Sequence, residues 1–302
     1  MAKILDGKLL ADCYCKEIRK EVEQLTPVVG RAPCLGVILV GDNPASQAYV
    51  ANKEKTARTK CGFETQDVFL EKDASHQAVA DAIIEMNQSA SVDGILLQLP
   101  LPAGLKSEPL LDLILPQKDA DGLHPLNQGL LQRGQAELMP CTPSGVMALL
   151  DLAYSPVELS PEFLPSRDLL PVDLSGKTAI VIGRSILVGK PVATMLLERN
   201  ATVIAAHSRT KNIEQLCATA DIVVAAVGRP NLVKADWVKS SAIVIDVGIN
   251  RLDTGKLTGD VDFLEVNQKC AAITPVPGGV GPMTVAMLMK NTLSAYKLKN
   301  NK

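Results

Sequence analysis

Short unbroken apolar runs alternate along this chain with segments whose apolar residues recur at helical spacing. An N-terminal helix comes first. CLGVILVGDN (34–43) is an apolar run closed by a turn, which predicts a buried strand. SQAYVANKEKTARTK (46–60) has helical character and stops at Cys61-Gly62. FETQDVFL (63–70) alternates as a strand. Residues 75–88 form a second helix, with Val79, Ala82, Ile83 and Met86 on one face. VDGILLQLPLP (92–102) is another buried strand, broken by proline. This βαβ rhythm predicts a parallel sheet.

Residues 116–145 are turn-rich, and Thr142-Pro143-Ser144-Gly145 opens a further helix. Residues 155–171 hold Pro156, Pro161, Pro165 and Pro171 with little periodicity, and are expected to form an exposed linker or excursion. A second α/β series comes next, with strand candidates KTAIVIG, ATVIAAHS, DIVVAAVG and SAIVIDVG. They recur at roughly twenty-residue intervals, the rhythm of a doubly wound dinucleotide-type sheet.

Composition narrows the possibilities. The 302 residues suit two domains, each able to bury its own core. Only 3% are aromatic, so those cores must be aliphatic, as in parallel sheets covered on both faces. A formal charge of −2, with no long basic run, argues against nucleic acid or an anionic membrane as partner. The seven cysteines include no C-x-x-C pair, and the three histidines show no ligand spacing. Neither a disulfide framework nor a metal site is expected, and a reducing cytoplasm is the expected compartment. The N-terminus lacks the apolar core of a signal peptide, and no run of about 18 apolar residues could span a membrane.

Candidate chemistry lies in the turns. ITPVPGGVGPMT (273–284) packs three glycines and three prolines just before an apolar helix. Such a rigid, side-chain-poor loop lets a flat ligand lie against bare main chain. Its plainer alternative is an ordinary loop feeding a helix. GRSILVGKP (183–191) joins a strand to a helix, the setting of a phosphate-binding turn, although only Gly183 and Gly189 of a G-x-G-x-x-G remain. The next strand end, NATVIAAHSRTKN, contains no Asp or Glu to hold a ribose 2′-hydroxyl. It offers Ser208, Arg209 and Thr210, with Arg184 in the first turn, and guanidinium groups suit a 2′-phosphate. NADP is therefore expected over NAD. Tyr49 and Lys53 share a helix face, a spacing that equally describes a solvated surface. Gln98 ends an apolar strand, where parallel sheets line their ligand crevice, while Asp119 and Asp121 also suit turns.

Taken together, YVANK, GILLQLPLP, KDADGLHPLN, PCTPSG, GRSILVGKP, HSRT, DVGIN and PVPGGVGPMT closely resemble the bifunctional methylenetetrahydrofolate dehydrogenase/cyclohydrolase family, in family order and over most of the chain. The resemblance implies a two-domain α/β protein with an interdomain cleft. Residues 1–148 plus 280–302 would form a folate-binding catalytic domain. Residues 149–279 would form a Rossmann-like NADP domain. A cytosolic homodimer is implied, as is one-carbon chemistry on tetrahydrofolate derivatives.

Residue roles also come from the resemblance. Lys53 would be the acid/base of the cyclohydrolase step, tuned by Gln98. Tyr49 would stack on folate and Asp121 would read the pterin edge. Leu97 and Leu99 would flank the substrate, as would the loop of Pro275, Pro277, Gly278, Gly279, Val280, Gly281 and Pro282. Gly183, Arg184, Ser185, Val188 and Gly189 would hold NADP, together with Ser208, Arg209, Thr210 and Ile249. Ile186 and Leu187 depart from the usual polar-then-Ile pair, and 155–171 is longer than the family pattern. Two alternatives remain at this point: a dehydrogenase lacking cyclohydrolase activity, and an NADP-binding regulatory protein without turnover.

Overall fold

The computed structural model describes residues 1–301. Strands β1 (Lys3–Ile4), β2 (Cys34–Val40), β3 (Glu64–Leu70) and β4 (Gly94–Leu97) lie in the first third of the chain, with helices α1 (Gly7–Val29), α2 (Pro44–Lys55) and α3 (His76–Gln88). Then come α4 (Ser107–Leu111), α5 (Pro125–Leu131) and α6 (Cys141–Tyr154). The later series comprises α7 (Pro165–Asp168), β5 (Thr178–Ile182), α8 (Gly189–Glu198), β6 (Thr202–Ala206), α9 (Ile213–Thr219), β7 (Ile222–Ala225) and β8 (Ile243–Asp246). It ends with β9 (Asn250–Arg251), β10 (Leu257–Thr258), α10 (Phe263–Val266), β11 (Ala272–Ile273) and α11 (Val280–Lys299).

The chain divides into two compact units. One comprises Met1–Cys13 and Thr142–Thr284, the other Tyr14–Cys141 and Val285–Lys302. The division differs from the expected one chiefly at the N-terminus. Residues 1–13 group with the later unit because β1 pairs in parallel with β11 there.

The earlier unit is built on a parallel sheet of order β3-β2-β4. β2 is buried along its whole length, as its run of apolar residues requires of a central strand covered on both faces. Ile38, Ile95 and Leu97 of the sheet pack with Val79, Ile83 and Met86 of α3, the helical stripe read from the sequence. Ser75 caps α3, its hydroxyl accepting the Ala78 N–H at 3.1 Å. The helix expected over 46–60 is two elements. α2 ends at Lys55 and a π-helical turn occupies Thr56–Cys61 before left-handed Gly62 closes it. The N–H of Thr56 still reaches Asn52 O, the α-helical partner, and Lys53 O, so α2 keeps its register through Lys53 and the π turn follows it. Such π turns often accompany functional residues.

The later unit carries a six-stranded parallel sheet of order β1-β11-β8-β7-β5-β6. The chain reverses direction of growth at β5, which pairs with β6 on one edge and β7 on the other. That is a topological switch point. Ile180, Val223, Val244 and Ile273 fill its core, which is aliphatic as composition demanded.

Residues 155–171 are not simply exposed. Phe163 is buried, as are Pro165 and Leu169, and α7 interrupts the stretch. Asp168 accepts the Leu164 N–H at 2.8 Å, and Ser160 O accepts the Cys13 thiol. Local capping and two large apolar anchors supply the order that periodicity did not reveal.

Candidate active site

In the earlier unit, α2 begins with Asn43 as its cap. Asn43 Oδ1 accepts the N–H groups of Ala45 at 2.9 Å and Ser46 at 3.2 Å, with Pro44 in the first turn. This start fixes the helix so that Tyr49 and Lys53, one turn apart, share a face. Lys53 Nζ donates to Gln98 Oε1 at 2.9 Å. Gln98 comes directly after β4, is buried, and anchors itself twice. Its backbone N–H donates to Ile38 O at 2.9 Å, and its Nε2 donates to Leu99 O. Burial lowers the Lys53 pKa, against the smaller opposing pull of the Asp121 carboxylate. Tyr49, 42% exposed, stands one helical turn before Lys53 on the same face.

The segment bearing Asp121 is pinned from several sides. Cys141 N donates to Asp121 O at 3.2 Å, and the Cys141 thiol donates to Ala120 O at 3.2 Å. Asn291 Nδ2, from α11, reaches both Ala120 O at 2.9 Å and Met139 O at 2.7 Å. Asp119 accepts His124 N and Asn127 Nδ2, each at 2.8 Å, so its role is to shape the turn. Cys141 is buried, and loss of solvation together with the Asp121 carboxylate pushes its thiol pKa well up, keeping it protonated. Sequence reasoning named neither Cys141 nor Asn291. Cys141 stood inside a matching motif without a role, and Asn291 is one polar residue in an apolar helix, with no local signal.

The expected substrate-flanking residues separate. The Leu97 side chain is in the core of the β2–β4 sheet, so only its main chain is available to a ligand. Leu99 is partly buried against the same core. The Gly/Pro loop lies in the later unit and is held there. Gly278 O accepts the Lys8 N–H at 3.0 Å, and Val276-Pro277 is a cis peptide. Pro275 and Gly278 remain partly open and Pro277 is exposed, but Gly279 and Val280 are buried. α11 already begins at Val280, so Gly281 and Pro282 belong to its first turn rather than to the loop.

The expected cofactor residues gather at the carboxyl ends of β5, β6 and β8. Gly183 takes φ +129, and a Cβ there would lie 2.2 Å from Ala226 O. A Cβ on Gly189 would lie 2.2 Å from Gly183 O. Only glycines permit this close turn, which leads into α8. Ser185 Oγ accepts the Val188 N–H at 3.1 Å and the Gly189 N–H at 3.4 Å, so it organises the helix entry. Gly183 N donates to Ala206 O at 2.9 Å, which brings this turn beside the one after β6. In that second turn, Thr210 Oγ1 accepts the His207 N–H at 2.9 Å and His207 Nδ1 accepts the Arg209 N–H at 3.2 Å. Ser208, Arg209, Arg184 and Ser185 are left exposed around it. Ile249, 46% exposed, lies just beyond β8. A close glycine turn at a helix start, rimmed by two guanidinium groups, fits a phosphorylated dinucleotide.

Comparison with known proteins agrees with this geometry. Residues 5–121 match the tetrahydrofolate dehydrogenase/cyclohydrolase catalytic domain, and residues 167–300 match the NAD(P)-binding domain of the same family. The bifunctional protein FolD of Campylobacter hominis is 47% identical over 295 residues, covering 98% of this chain and 97% of the relative. That of Streptococcus mutans is 47% identical over 295 residues, covering 98% of each. The crystal structure of Trypanosoma brucei N5,N10-methylenetetrahydrofolate dehydrogenase-cyclohydrolase, complexed with NADP cofactor and inhibitor, superposes with a TM-score of 0.90 at 38% identity, covering 100% of this chain and 99% of that one. With the Lys53–Gln98 pair in one unit and the glycine turn at a parallel-sheet switch point in the other, the chain belongs to the tetrahydrofolate dehydrogenase/cyclohydrolase family.

Proposed function

We propose that the protein oxidises 5,10-methylenetetrahydrofolate to 5,10-methenyltetrahydrofolate with NADP and then hydrolyses the product to 10-formyltetrahydrofolate. The observation that carries this reading is the 2.9 Å bond between Lys53 and Gln98, in surroundings that lower the lysine pKa. NADP, when bound, supplies the acceptor for the hydride leaving the methylene carbon. That step requires two flat rings to be held together and needs no acid or base from the protein. Tyr49 offers its ring as a stacking surface, and Asp121 an acceptor for the N–H groups of the pterin edge.

Hydrolysis needs proton management. The methenyl product is a cation with an electrophilic carbon to which water can add. Lys53, its ammonium disfavoured by burial, takes a proton from the adding water and returns it to the ring nitrogen as the carbon–nitrogen bond breaks, while the adduct's hydroxyl proton leaves to solvent as the formyl carbonyl forms. Gln98 Oε1 holds the amine in place through this cycle. The positively charged substrate adds to the depression of the lysine pKa while bound.

Preference for NADP is supported by Arg184 and Arg209 and by the absence of an acid between residues 200 and 212. A dehydrogenase without cyclohydrolase activity would have no use for the buried Lys53–Gln98 pair. The open edge of β3 and the exposed Phe69 favour a homodimer. Seven free, buried cysteines among the described residues suit a reducing cytoplasm. Among those residues no helix is long and apolar enough to cross a membrane.

The test is spectrophotometric, with 5,10-methylenetetrahydrofolate and either NADP or NAD. NADPH should form with little methenyl accumulation, and added methenyltetrahydrofolate should decay faster with enzyme than without. NADP binding with no turnover of either folate would instead identify a regulatory protein.

A further inference from the structure

Two buried carboxylates that this chemistry does not use stand at the carboxyl end of the later sheet. Asp260 is fully buried. Its Oδ2 accepts the N–H groups of Val227 at 2.6 Å and Gly228 at 3.0 Å. Its Oδ1 accepts the Arg229 N–H at 2.8 Å and Asn250 Nδ2 at 2.9 Å. Three consecutive N–H groups of the loop leaving β7 therefore wrap one carboxylate, and the residue just beyond the loop leaving β8 joins them. Asp260 is itself clamped by Asp246. Asp246 Oδ1 accepts Asp260 N at 2.9 Å and Gly248 N at 3.0 Å, and its Oδ2 accepts Val261 N at 2.9 Å. The fit is tight: a Cβ on Gly248 would lie 2.3 Å from Asp260 Oδ1.

Burying a carboxylate is costly, and this one is held by four donors, three on the loop leaving β7 and one, Asn250, just beyond the loop leaving β8. Those loops leave adjacent parallel strands at the end of the sheet where ligands bind. One contains Ile249. The other begins beside Ala226, whose carbonyl borders the Gly183 turn. We propose that Asp260 is a positioning residue for NADP: it fastens 227–229 and 247–250 in one arrangement, so that the walls of the dinucleotide site on the β7–β8 side are formed before binding. The inference rests on the reading that NADP binds at this end of the sheet.

Asp260→Asn keeps the side-chain shape but turns an NH2 toward main-chain donors, leaving at least one oxygen's partners unsatisfied. NADPH affinity, read by fluorescence titration of the whole protein, should fall about tenfold or more, with KM for NADP rising in parallel and kcat changing less. Hydrolysis of added methenyltetrahydrofolate needs no dinucleotide and should stay within about twofold of wild type. Asn250→Ala removes one of the four bonds and should weaken NADPH about threefold, which provides the measurement if the first variant fails to fold. Unchanged NADPH affinity in the folded variants, or equal loss of hydrolysis and dinucleotide binding, would overturn the positioning role. Absence of NADPH binding by the wild-type protein would instead defeat the cofactor reading itself, and this inference with it.

Discussion

At the level of single residues, the proposed choice of NADP over NAD is assigned to the turn after β6. The His207–Thr210 turn is closed by its own hydrogen bonds, which leaves Ser208 and Arg209 exposed at the strand end. A guanidinium there meets a 2′-phosphate with two donors but gains nothing from a bare hydroxyl. Arg209→Ala should therefore weaken NADP more than NAD, about tenfold against less than about threefold in kcat/KM. An unchanged ratio between the two cofactors would show that Arg209 does not read the 2′-phosphate. Arg209 could be proposed from the sequence because the proposal needs only strand order and the missing acid. Asn291 was not visible. Its two carbonyl partners lie 171 and 152 positions away in sequence, and only the fold brings them to its side chain.

Among the elements, legibility tracked length. β2 and β5 declare themselves through unbroken apolar runs, because both faces are covered and every position is selected for burial. β1, β9, β10 and β11 have two residues each, too few for any period to register. The π turn after α2 is equally silent, since it preserves helical composition while shifting the register. β3 reads correctly as a strand, yet its place at the sheet edge carries a consequence: Phe69, 64% exposed, is a large apolar residue on an unpaired edge. On the proposed homodimer, with this edge as its contact, the wild-type chain should sediment as a dimer and Phe69→Asp as a monomer at micromolar concentration. A dimer that withstands the change would place the contact elsewhere.

Across the whole molecule, the strand rhythm pointed to two α/β units, and the resemblance supplied their roles. Neither foretold that residues 1–13 join the later unit, because β1–β11 pairing links segments at opposite ends of the chain. Nor did composition foretell the order within 155–171, where prolines mark a packed segment rather than an open linker. On the proposed function, the later unit's glycine turn binds the dinucleotide and Lys53 of the earlier unit transfers the proton. A variant at Lys53 should therefore separate the two activities. The decisive measurement is the rate of methenyltetrahydrofolate hydrolysis and of NADP reduction by folded Lys53→Met. Hydrolysis should fall to the uncatalysed rate while NADP reduction persists at a reduced level, with methenyl product now accumulating. Equal loss of both activities, or hydrolysis that survives, would contradict the role assigned to Lys53.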